Sequence, residues 1–179
     1  MQPTNSSILV DMDGTLFNFV DVYKKRLSPH KIGDVTEYDV LETQLKESIL
    51  KAQLSMNAML SASFFADENP YDQMVSFVQK LKNQYDVWFV TAPIGYYHLK
   101  SGINEKRAQI QRLYGQNAAQ KMIFTAEKHK VPGQFLIDDH PKIVKMKAEW
   151  KPVMVNQAWN THIPCEIRLD LSNPQIEGL

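Results

Sequence analysis

The sequence predicts an α/β fold: a central parallel sheet flanked by helices, with a small helical insertion after the first strand. Three observations carry that expectation. Short apolar runs alternate with helical periodicity along most of the chain. The runs are rich in Val, Ile, Leu and Phe, as strands covered on both faces tend to be. A stretch of about 50 residues behind the first run breaks the alternation with a helical pattern of its own.

Taken in order, the candidate strands are 8–12, 87–92, 121–125, 134–138 and 152–156. Periodicity alone does not separate such runs from buried helix, and their shortness decides for strand. Behind the first, Phe19, Tyr23 and Leu27 mark a short helix before Pro29. Leu41, Leu45, Ile49, Ala52, Met56 and Met59 then recur every three or four residues, marking a long amphipathic helix. These two helices make up the insertion, 18–69, leaving a core of 1–17 and 70–179. Pro70 is expected to open a helix whose core face is Met74, Phe77, Val78 and Leu81, spaced i, i+3, i+4, i+7. Ile103, Ile110, Leu113 and Tyr114 share one face of a second crossover helix, with Gly115 as its stop. The tail 160–179, with Pro164 and Pro174, is expected to wrap the sheet edge or to be partly loose.

The bulk properties exclude several classes. The chain has 179 residues, enough for one well-buried core and short for two independent domains. Its 20 basic and 20 acidic residues cancel, so no dominant polyanion-binding surface is expected. Clusters such as Lys24-Lys25-Arg26 and the lysines of 142–151 read as solvated faces. Cys165 is the only cysteine, which rules out an intrachain disulfide and fits a reducing cytoplasm. The polar opening, reaching Asp11 after one short apolar run, fits neither a signal peptide nor a membrane span. The five histidines lack metal-ligand spacing, and neither a Gly-x-Ser-x-Gly elbow nor a phosphate-binding Gly-rich loop with Lys-Ser/Thr is present.

The chemistry concentrates in Ile8-Leu9-Val10-Asp11-Met12-Asp13-Gly14-Thr15-Leu16-Phe17. An apolar strand ends in carboxylates at i and i+2, which point to the same side of a strand. In open parallel sheets ligands bind beyond the carboxyl ends of the strands. Two close carboxylates repel unless a cation or shared proton intervenes, so a hard divalent metal such as Mg2+ is the natural third party. As a bare pair, Asp-x-Asp also occurs in ordinary turns; the full Asp-x-Asp-Gly-Thr-Leu-Phe behind a strand is far more specific.

That segment resembles the first signature motif of the haloacid dehalogenase superfamily, and the other three signatures follow in order. Val87-Trp88-Phe89-Val90 ending at Thr91 is similar to the second, Lys128 to the lysine of the third, and Phe135-Leu136-Ile137-Asp138-Asp139 to the fourth. The resemblance implies a Rossmann-like core with a cap inserted after the first strand. It implies that Asp11 is the nucleophile that becomes transiently phosphorylated and that Asp13 serves the leaving group as acid and then base. Thr91 and Lys128 would hold the phosphoryl group. Mg2+ would be held by Asp11, Asp13 (through its backbone oxygen) and one of Asp138 and Asp139. Lys130 is a second candidate for the lysine if the loop is shortened. Members that displace halide lack the second acid, so Asp13 points to phosphoryl transfer.

Asp11 to Leu16 with Phe19 downstream, Tyr85-Asp86-Val87-Trp88, Glu105-Lys106 through Gly115, and Leu136 to His140 further resemble the 5'(3')-deoxyribonucleotidases. That implies a nucleoside monophosphate as substrate, with Phe19 near the base and Ala92 beside Thr91 at the phosphate. Phe64 and Phe65, where the insertion returns, are candidates for the same wall, since a π-face tolerates any base. Some members carry arginine where this chain has His140. Alternatives are a phosphatase of sugar phosphates or another small metabolite, an enzyme of nucleic-acid ends, and a catalytically silent binding module. The partner expected is a small phosphate ester, with no stable nucleic acid and no membrane; a homodimer stays open.

Overall fold

The computed structural model describes residues 1–27, 63–92 and 99–176. Six strands form one sheet: β1 (Ile8–Val10), β2 (Val87–Thr91), β3 (Met122–Phe124), β4 (Phe135–Asp138), β5 (Lys151–Val155) and β6 (Ile167–Leu169). All neighbours pair parallel, in the order β3-β2-β1-β4-β5-β6. β2 and β3 step outward on one side of β1, and β4, β5 and β6 on the other. The switch point therefore lies between β1 and β4, where Val10 is in register with Ile137.

Both faces of the sheet are buried, which is why its strands lack polar alternation. Ile8, Val10, Val87, Phe89, Ile137, Val153 and Val155 pack on one face with Met74, Phe77, Val78, Leu81 and Ile110. The intervening residues Leu9, Trp88, Val90, Leu136 and Met154 point the other way, into Val131, Ile143 and Trp150. Each fully buried side chain of this size contributes roughly 1.5–3 kcal/mol.

The helices of the first face are α2 (Asp72–Lys82), α3 (Leu99–Tyr114) and the short α4 (Gln116–Ala119). The stripe Met74, Phe77, Val78, Leu81 is buried as its spacing predicts. The helix begins two residues after Pro70, because Pro70 is held in an antiparallel bridge with Phe17 and Tyr71 serves as N-cap. Gly115, at φ +86°, ends α3 as the stop that the sequence predicts. On the second face short 3-10 turns at Lys128–Lys130 and Pro141–Lys145 do the covering.

The early helix is present as α1 (Phe19–Leu27). The long helix expected over 41–59 lies outside the described residues. At the root of the insertion two chain segments run side by side. The Asn18 amide donates to the Asn69 carbonyl (2.9 Å) and the Tyr71 amide to the Leu16 carbonyl (2.8 Å), around the Phe17–Pro70 bridge. Arg26 on α1 reaches Asp67 of the returning segment at 2.5 Å. One element differs from expectation: the tail contributes β6, paired to β5 through Val153–Ile167 and Val155–Leu169. Among the described residues no helix is long and apolar enough to cross a membrane.

Candidate active site

The site is built at the carboxyl ends of β1, β2 and β4. The Asp11 amide still donates to the Ile137 carbonyl (2.9 Å), so Asp11 stays in the frame of the sheet one residue past β1. The chain then turns tightly. The amides of Thr15, Leu16 and Phe17 converge on the Met12 carbonyl at 3.2, 2.8 and 2.9 Å. Gly14 takes φ +75°, where a side chain would be strained.

Asp11 (5% exposed), Asp138 and Asp139 (both 0%) are buried together, and each offers an oxygen within 4.8 Å of the others'. Lys128 reaches two of them: Nζ lies 2.7 Å from Asp11 Oδ1 and 2.7 Å from Asp138 Oδ2. Its 3-10 turn is anchored by Trp150 Nε1, which donates to the Lys128 carbonyl (3.2 Å). Burial opposes the charge on Lys128, but the Asp11 and Asp138 carboxylates outweigh it and raise its pKa above the ordinary lysine value. Lys130, the second candidate, is instead exposed and pairs with Glu127 at 2.6 Å.

Asp138 Oδ1 also accepts the His140 amide (2.7 Å), while His140 Nδ1 accepts the Lys142 amide (2.9 Å) and caps the following turn. Asp139 accepts from Thr15 Oγ1 (3.0 Å) and Trp159 Nε1 (3.2 Å), and its backbone carbonyl from Asn160 (2.8 Å). Burial pushes Asp138 up to about 6, with Lys128 opposing and Asp11 adding to the rise. Burial, then the charges of Asp138 and Asp11, push Asp139 well above the carboxylate range.

A hard cation fits this donor set. Three buried carboxylates share one ammonium, and Asp139 has no cationic partner among the described residues. All the ligand atoms are oxygens, the choice of magnesium- or calcium-type ions over softer metals.

The second half of the site surrounds Lys106, which composition and spacing left without a role. It is 2% exposed, ion-paired with Asp13 Oδ2, and donates to Thr91 Oγ1 at 2.8 Å. Its ammonium lies 4.4 Å from the centroid of the Phe65 ring. A signal existed: Lys106 sits three residues after Ile103 and four before Ile110, on the core-facing stripe of its helix, where lysine is rare unless paired. Burial raises the Asp13 carboxyl above its ordinary value; Lys106 opposes that and Asp11 adds to it.

The neighbouring Glu105 grips the segment on which the insertion returns. Its carboxylate accepts the amides of Ser63 (3.2 Å), Phe65 (3.1 Å) and Ala66 (3.3 Å). Phe64 is 0% exposed and meets Phe65 edge-on at 5.2 Å. Phe64 has no open surface and packs the seam, and Phe65 is 6% exposed. Phe19 is half-buried, with its ring 6.4 Å from that of Trp159 in an edge-to-face pair. Trp159, joining that pair to Asp139, lies just ahead of the tail and was not expected here. Ala92, half-buried, follows Thr91 at the end of β2.

Comparison with known proteins identifies a family and a fold. A family model described as "5' nucleotidase, deoxy (Pyrimidine), cytosolic type C protein" matches residues 5–173. A Bordetella bronchiseptica protein provisionally named 5'(3')-deoxyribonucleotidase is 27% identical over 93% of this chain and 91% of its own length. The mitochondrial 5'(3')-deoxyribonucleotidase of Mus musculus is 23% identical over 87% of this chain and 75% of its own. Among solved structures, a predicted phosphatase from Clostridium acetobutylicum superposes with a TM-score of 0.60 at 11% identity, covering 94% of each chain. The provisionally assigned hydrolase YfnB of Bacillus subtilis, of haloacid dehalogenase type and bound to magnesium, gives 0.54 at 13% identity, covering 95% of this chain and 96% of its own.

Proposed function

Because the chain belongs to the family of cytosolic type C deoxy-5'-nucleotidases, we propose that it hydrolyses nucleoside monophosphates through a phosphorylated Asp11. The observation that supports this most is the convergence of Asp11, Lys128 and Asp138 at the switch point, with Asp13, Lys106 and Thr91 beside them. Asp11 attacks phosphorus, which requires its charge and that of the phosphate to be offset. Lys128 and Lys106 supply fixed positive charge at that point, and Thr91 donates a hydrogen bond to a phosphoryl oxygen. Asp13 protonates the departing ester oxygen and later takes a proton from the water that cleaves the aspartyl-phosphate. Burial, which raises its pKa, favours the protonated form that the first step needs.

Asp11, Asp138, Asp139 and the backbone oxygen of Asp13 would hold Mg2+, which supplies Lewis-acid stabilisation of charge on the phosphoryl oxygens. Phe19 and the edge of Phe65 offer the base its wall, and Ala92 lies beside the phosphate. We assign the core to 1–17 and 70–179 and the cap to 18–69. The Phe17–Pro70 bridge and the hydrogen bond between Asn18 and Asn69 support that boundary. The single cysteine and the absence of a transmembrane-length helix among the described residues fit an enzyme working in the cytoplasm on a small phosphate ester.

Phosphate release with magnesium, measured across deoxy- and ribonucleoside monophosphates, sugar phosphates and phosphorylated oligonucleotides, tests the substrate class. The expected order places deoxynucleotides highest in kcat/KM. A clear preference for sugar phosphates would overturn the nucleotide assignment and leave the core chemistry in place.

A further inference from the structure

The chain beyond β5 reaches back to the acids of the site. Gln157 Nε2 donates to the Gly14 carbonyl (2.5 Å), Trp159 Nε1 to Asp139 Oδ2 (3.2 Å) and Asn160 Nδ2 to the Asp139 backbone carbonyl (2.8 Å). Of the three, the Trp159 bond alone ends on a carboxylate. The segment is itself tied down: the Gln157 amide donates to Asn160 Oδ1 (3.1 Å), and Asn160 Nδ2 also reaches the Val155 carbonyl (2.8 Å). The indole packs edge-on against Phe19 of α1, with ring centroids 6.4 Å apart, which fixes the direction of its N–H.

The two buried acids behind β4 are held by different chemistry. Asp138 Oδ2 meets the Lys128 ammonium. Asp139 meets two neutral donors, Thr15 Oγ1 on Oδ1 (3.0 Å) and Trp159 Nε1 on Oδ2. A carboxylate oxygen has two lone pairs, so one donor on each leaves either oxygen able to take a cation. An indole N–H donates, accepts nothing and carries no charge. It can orient the carboxylate without repelling a cation, as a second lysine would. Groups that hydrogen-bond a metal's ligands from behind typically carry roughly ten- to hundredfold of its affinity.

We infer that Trp159 is a positioning residue for the cation site: its indole N–H holds the Asp139 carboxylate in the orientation that receives Mg2+. This rests on the reading of Asp11, Asp138 and Asp139 as the metal-holding acids. Trp159 acts through Asp139 and touches no reacting atom.

Two variants separate the N–H from the ring. Trp159→Phe keeps a ring against Phe19 and removes the donor; Trp159→Leu removes both. Mg2+ would be titrated into the wild type and both variants in a calorimeter, without substrate, with Tm recorded for each metal-free protein. Both variants are expected to bind Mg2+ about tenfold or more weakly, by similar factors. In phosphate release from a deoxynucleoside monophosphate, the Mg2+ concentration at half-maximal rate should rise to match. At saturating Mg2+, kcat for Trp159→Phe should stay within about threefold of wild type. A Trp159→Phe dissociation constant within about threefold of wild type, whatever Trp159→Leu does, would overturn the inference and leave packing as the role of the ring. A wild type that binds no Mg2+ sinks the metal reading with it. The calorimetry uses no substrate, so a failed nucleotide assignment leaves it intact. The wild type alone gives a second measurement, independent of how the variants fold. Trp159 supplies one of three indole signals in a 15N–1H spectrum, and its signal should shift as Mg2+ is added. A Trp159 signal unmoved at saturation would also refute the inference.

Discussion

Gly14 shows how tightly single residues constrain the site. A β-carbon there would stand 2.5 Å from Asp139 Oδ2, and the backbone is already at φ +75°. Left-handed backbone costs a non-glycine residue about 1–2 kcal/mol, and the clash adds to it. Gly14→Ala is therefore expected to lower Tm by roughly 5–10 °C in calorimetry and to displace Asp139; an unchanged Tm would mean that Asp139 yields freely. The glycine was legible in the sequence as a turn directly behind two acids, as were Asp11, Asp13, Thr91, Lys128, Asp138 and Asp139, because each ends or follows an apolar strand. Lys106 carried only a register signal within its helix. Trp159 carried none, since its place depends on how the chain beyond β5 folds back onto the sheet.

The same division holds for elements. Five strands were readable because each is a short apolar run, and the structure moves their ends by only a residue or two. The sixth, Ile167-Arg168-Leu169, was not readable: three residues with arginine at the centre give no run. Tertiary bonds fix it instead. Arg168 donates to Asn156 Oδ1 (2.7 Å), the Ile163 carbonyl (2.7 Å) and Asn160 (2.9 Å to Oδ1). Asn160 in turn donates to the Asp139 and Val155 carbonyls, both at 2.8 Å, so this edge also steadies Asp139. Helices α1 and α2 were legible from periodicity. The start of α2 was misplaced by two residues because Pro70 is used to close the root of the insertion rather than to open the helix.

For the whole molecule, the cluster of buried acids sets a pH dependence. Asp138, pushed up to about 6 from an ordinary 3.8, binds its proton more tightly in the folded protein than in the unfolded chain. The metal-free protein therefore loses stability as pH rises from about 4 to 6, on the order of 3 kcal/mol from this group, and Asp139 acts in the same direction. Magnesium, which needs the ionised carboxylates, should restore it. Tm measured with and without magnesium should show a gain at pH 7 that shrinks toward pH 5. A Tm indifferent to magnesium at pH 7 would contradict the assignment of the carboxylates to a metal.

In the proposed mechanism phosphate passes through Asp11. Wild type and Asp11→Asn would be mixed with 32P-labelled deoxynucleoside monophosphate and magnesium, quenched in acid during turnover, and the protein-bound label treated with hydroxylamine. Hydroxylamine-labile label is expected on the wild type at the peptide containing Asp11 and none on the variant, which should also be inactive. Label at another residue, or an active Asp11→Asn enzyme, would contradict it.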